Sequence, residues 1–141
     1  MDIEVFLLAM LIVAVVVSVP LVIALTRKGS VATVPMTKRR QVVRVEAAPE
    51  HVYAWITQRC PAGFAVVDTD PGRGLALLDS RMSLATWGFF YPVLVTPEPA
   101  GTRVEIGIKS KAIQYGPLVT RQHRKLADAL ATLTHGRVEA G

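Results

Sequence analysis

The sequence is short of the groups most chemistry needs. It has one cysteine, Cys60, so no internal disulfide can form, and a reducing compartment suits it. A lone thiol of this kind reads as a small buried apolar residue, because a nucleophile would need an activating base and the nearest histidine in sequence is His51. His51, His123 and His135 have no partners at ligand spacing. There is no cysteine pair and no His-Glu-x-x-His, so neither a metal nor a cofactor is expected. A Gly-x-Ser-x-Gly elbow is missing, which removes the usual α/β-hydrolase reading. Pro71-Gly-Arg-Gly74 lacks the Gly-Lys-Ser/Thr ending of a phosphate loop and reads as a turn. Asp68, Asp70 and Asp79 flank that turn and read as rim residues rather than as a carboxylate set. Acids are also scarce, 11 against 16 Lys and Arg. The cations are dispersed and no helix-turn-helix or RNA-binding aromatic motif goes with them, so no nucleic-acid partner is expected.

Charge is missing altogether from residues 5–25. A helix over residues 3–25 would span roughly 35 Å at 1.5 Å per residue, enough to cross a hydrocarbon core with modest tilt. No face of this stretch is polar, which argues against a core helix. A cleaved signal peptide would start basic, run shorter and end in small residues. Here Asp2 and Glu4 come first, and no Ala-x-Ala follows. The reading is an anchor at residues 1–26, with Pro20 as a kink that helices in a membrane tolerate. Behind the span come Arg27, Lys28, Lys38, Arg39 and Arg40, so the positive-inside rule places the remainder in the cytoplasm of a single-pass cell-membrane protein. Residues 26–141 hold every Lys and Arg of the chain, and a basic module beside a bilayer is drawn to anionic headgroups.

After an aperiodic linker at 27–37, a domain is expected over 38–135 and a tail over 136–141. Residues 41–47 alternate, with Val43, Val45 and Ala47 facing one way, as in a half-buried strand. Pro49 and Glu50 open a helix to about Arg59 with Val52, Trp55, Ile56 and Arg59 on its stripe. Strands are expected over 64–69 and from 75, joined by a turn at 70–74, and again over 88–96, where Pro92 implies a sheet edge or a bulge. Residues 81–87 read as a strand end followed by an irregular stretch. A turn at 97–101 leads to the cleanest alternation, Val104, Ile106 and Ile108. A last helix runs from Leu118 to about Leu133 on a stripe of Val119, His123, Leu126, Leu130 and Leu133, ended by His135-Gly136. The fold class is therefore α+β: an N-terminal transmembrane helix, then β-α-β-β-β-β-α with an antiparallel sheet. Both helices pack on one face, and the other face, bearing Arg44, Glu46, Arg103, Glu105 and Lys109, should be wet.

This order, and the segment from Val43 to Thr57 with Ala-Pro-Glu followed by Tyr53 and Trp55, resembles the opening of the START-like superfamily, also called SRPBCC. The resemblance covers about residues 38–133 and includes the long amphipathic last helix. It implies a reduced helix-grip fold. In larger members of that superfamily the last helix and a curved sheet enclose an apolar cavity, which would make His123, Trp55, Trp87, Phe89, Tyr91 and Tyr115 candidate ligand-binding residues. Trp87 and residues 89–91 could alternatively meet the bilayer interface. Three functions stand side by side: a membrane-tethered module binding an apolar small molecule or lipid or acting at the bilayer, a non-catalytic scaffold for a protein partner, and a cyclase-like enzyme using His123. The balance leans away from an enzyme. A bacterial PH-like domain is the rival fold and would place strands where a helix is expected at 50–59.

Overall fold

A computed structural model describes residues 2–26, 29–80, 88–111 and 117–139, apart from the side chains of 24–26. Helix α1 (Ile3–Thr26) is one continuous span with Pro20 inside it, and its side chains through Val19 are all exposed. It is long and apolar enough to cross a membrane, a test that a signal sequence also passes. Then follow β1 (Arg40–Val45), α2 (Pro49–Gln58), β2 (Phe64–Asp70), a 3-10 turn (Pro71–Arg73), β3 (Leu75–Ser80), β4 (Phe89–Glu98), β5 (Gly101–Gly107), β6 (Lys109–Ser110), α3 (Pro117–Thr134) and β7 (Arg137–Val138). The helix at Pro49–Gln58 excludes the PH-like rival. The sheet is antiparallel, in the order β2-β3-β4-β5-β1-β7, with β6 on β4.

Local chemistry explains the joints. Ala48 is extended (φ −64°, ψ 145°) and offers no side-chain cap, so α2 starts on Pro49, whose fixed φ already suits a first turn. Helices α2 and α3 lie on one sheet face. There Val52 and Ile56 of α2 and Leu126, Ala127 and Leu130 of α3 close over Val43, Tyr91 and Ile106. Each such apolar side chain contributes about 1.5–3 kcal/mol on burial. The buried face of α3 is His123, Leu126, Ala127, Leu130 and Thr134. Val119 and Leu133, expected on the stripe, pack at its margin.

Three expectations are corrected. Pro92 is neither on an edge nor in a bulge: β4 lies between β3 and β5, and Pro92 pairs in register with Leu77. It is tolerated because the ladder on its other side lapses. Val93 pairs with Ile106 and Phe90 with Lys109 in one common register, which puts Pro92 opposite Gly107. Pro92 has no N–H to give there, so the strand breaks at Ile108 and resumes as β6. The expected tail does not hang free either. Arg137 and Val138 pair with Arg44 and Val43, and the Glu139 amide donates to the Val42 carbonyl at 2.8 Å. His135 makes this return by taking a left-handed conformation (φ 57°) at the end of α3.

The third correction concerns the outer face of the sheet, which is not wet throughout. Leu77 and Phe90 point there, are 0% and 1% exposed, and are covered by Val34 and Val31 of the expected linker. Residues 29–37 form a strap. They cross the strands along one row, Asp68, Leu77, Pro92, Gly107 and Arg40, contributed by five different strands.

Candidate functional site

The inward face of α3 was the expected ligand wall, and its residues are packed shut. His123 has no exposed surface, and its Nε2–H donates to the Ile106 carbonyl at 2.5 Å. Its Nδ1 is buried and has no hydrogen-bond partner among the described residues. Burial pushes the imidazole pKa down, the Ile106 carbonyl pulls it up, and Arg39 lowers it further, which leaves the ring neutral. Phe89 and Tyr91 are likewise 0% exposed. Ser80 Oγ holds this pair from behind, accepting from the Phe89 amide at 3.1 Å and meeting the Tyr91 hydroxyl at 3.3 Å. Burial first, then Asp79, pushes the Tyr91 phenol up to about 12, against the Ser80 hydrogen bond.

A cavity holding even one water would leave accessible area on its walls. Val43, Val52, Leu78, Val93 and Leu126 have none either, so no water-sized space opens onto these side chains. His123, Phe89 and Tyr91 are brought together, but as core. Trp55 on α2 is half-buried and packs against the margin of that core, with its ring 6.3 Å from that of His51. Trp87 and Tyr115 lie outside the described residues. No group of three His, Cys, Asp or Glu side chains that could hold a metal occurs among the described residues.

The outer face carries what the sequence reading passed over. The Val31 amide donates to the Asp68 carboxylate at 2.8 Å, fixing the start of the strap to β2. A Cβ on Gly29 would stand 2.6 Å from Phe90 Cε1, so the backbone lies directly on that ring. At the other end the Ile108 amide donates to Thr37 Oγ1 at 3.1 Å. Beside Phe90, Lys111 Nζ sits 5.0 Å from the ring centre and 2.8 Å from Asp79 Oδ2. The unbroken apolar run of 89–91 and 93–95 was the available signal, since a strand covered on both faces does not alternate.

Two of the exposed regions bear on function. A cleft of about 450 Å³ opens between the start of α2 and the β2–β3 turn, lined by Pro49, Tyr53, Pro71, Arg73, Val95 and Pro97. The Tyr53 hydroxyl is already donated to the Leu75 carbonyl at 2.8 Å. The second region is basic. Where the strap meets β1, Arg39 donates to Thr120 of α3, and Arg39, Arg40 and Arg124 line one shallow cleft. Arg121 and Lys125 continue that surface along α3.

No family model matches the chain, and no curated protein does. Among solved structures, the crystal structure of protein CV1439 from Chromobacterium violaceum is similar at 16% identity and a TM-score of 0.40, over 68% of this chain and 96% of that one.

Proposed function

We propose that this protein is a single-pass, membrane-tethered START-like module that acts at the cytoplasmic surface of the cell membrane as a non-catalytic interaction domain, without an enclosed ligand. The observation that carries this reading is the strap. Only residues 27 and 28 separate the end of the bilayer-length α1 from a segment built into the sheet. The domain is thereby held at the bilayer with little slack. The full burial of Tyr91, His123 and Leu126 weighs against the carrier and cyclase-like readings, because a ligand reaching them would have to displace them. Orientation rests on the flanking charges, Asp2 and Glu4 at the start of α1 and cations behind it.

The test is native mass spectrometry of the full chain released from detergent micelles. Bare protein, or protein with loosely held phospholipid, is the expected result. A stoichiometric small apolar molecule that survives release would replace this reading with the carrier. A reporter fused after Gly141 that is active only outside the cytoplasm would overturn the orientation.

A further inference from the structure

We infer that the basic face formed by the end of the strap and the outer side of α3 docks on anionic phospholipid headgroups of the same bilayer that holds α1. This rests on the membrane-tethered reading above and adds the partner's chemistry to it. Two chain segments bring the cations together. Lys38, Arg39 and Arg40 follow the strap directly, and Arg121, Arg124 and Lys125 are exposed on α3. The Arg39–Thr120 hydrogen bond joins the two groups into one surface. Acids neutralise only part of it: Glu105 pairs with Arg40 at 3.2 Å and Asp128 with Arg124 at 3.1 Å, while Glu139 reaches the edge of the cleft. Lys38, Arg121 and Lys125 have no counter-ion among the described residues. Helix α3 has no acid in its first turn, so its positive end adds to the field instead of being offset.

Charge complementarity selects the occupant. Surface attraction fades within about 8 Å at physiological salt, so such a face is effective only when kept near its target. The strap supplies that proximity, because the cations begin at the residue after its last docked one, Thr37. A headgroup layer presents many phosphates in a plane and can engage dispersed Lys and Arg without shaped pockets, which suits a shallow surface.

The experiment places the full chain in nanodiscs of phosphatidylcholine alone or of phosphatidylcholine with phosphatidylglycerol. Acetylation of Lys38 and Lys125 by an amine-reactive reagent is followed by mass spectrometry, with Lys109 as internal reference. The expected result is a fall of about threefold or more in Lys125 labelling in the anionic discs, abolished by high salt, as for a screened surface contact. The doubly substituted Arg121→Gln, Arg124→Gln protein should lose this protection while keeping its thermal unfolding midpoint. Equal labelling in the two discs overturns the proposal and leaves the anchor intact. Protection by an RNA oligonucleotide but not by anionic discs overturns it in favour of a nucleic-acid partner. A chain that enters neither disc overturns this proposal and the anchor together.

Discussion

Pro92 of β4 faces Gly107 of β5 at a step where the ladder between the two strands lapses, and the chain leaving α1 is laid over that step. The missing proline N–H would otherwise leave a weak seam in the middle of the sheet. Thr37 closes it from the strap: its hydroxyl accepts from the Ile108 amide at 3.1 Å and donates to the Arg39 carbonyl at 2.8 Å.

Replacing Thr37 by Val keeps the shape and removes both bonds. The Ile108 amide is then left partly buried without its acceptor, at a cost of about 1–2 kcal/mol. Thermal unfolding of the full chain in detergent should shift down accordingly, and amide exchange at Ile108 should accelerate. Unchanged exchange at Ile108 would show that the strap does not seal the sheet.

Gly107→Ala attacks the same junction from below. A Cβ there would stand 2.6 Å from Thr37 Oγ1 and 2.9 Å from Pro92 Cγ, and Pro92 cannot yield without disturbing the sheet. The strap must lift, with an overpacking cost of about 1–3 kcal/mol. The specific readout is faster exchange across residues 31–37 with β1 and α3 unaffected. If exchange rises evenly over the domain instead, the strap is not an independent layer.

The strap was not legible in the sequence because its determinants are not periodic. Val31 and Val34 sit in an irregular segment, and the row beneath them draws one residue from each of five strands, an arrangement that only the finished register creates. The helices and long strands were legible for the opposite reason: α2, α3 and β5 repeat their apolar positions at the period of their own geometry. Pro92 misled because the rule against mid-sheet proline assumes an intact ladder on both sides. β7 is two residues long, too short to carry a pattern, and is specified by the left-handed turn at His135 that aims it at β1. His123, Phe89 and Tyr91 are buried, but burial alone does not tell a cavity wall from a packed core.

His123 makes stability depend on pH. Burial above all, with Arg39 in support and the Ile106 carbonyl opposing, lowers its folded-state pKa below the unfolded value of 6.5. A depressed histidine binds its proton less readily when folded, so its contribution is fully present above that unfolded value and is lost as the pH falls below it. The unfolding midpoint of the full chain should therefore decline between neutral and mildly acidic pH. In His123→Gln this decline should be visibly flatter. A wild-type profile that is flat over the same range would mean that the ring accepts its proton in place.

Helix α1 fits two fates that share one sequence pattern. A signal segment is cut away, whereas a tether persists in the mature protein. The intact mass of the protein recovered from membranes should thus include residues 1–26. Placing a charge at the middle of the span, as in Val13→Lys, should cost about 2.5–3.5 kcal/mol of insertion and move chain from the membrane to the soluble or degraded fraction. The same lysine in a cleaved segment would impair export but leave no mature membrane-bound chain to compare. A shortened product starting within the strap would be more damaging still: it would lack Gly29 and Val31, expose Leu77 and Phe90 to water, and place a large apolar patch on the outer face of the sheet. Recovery of such a product, soluble and folded, would refute the tether.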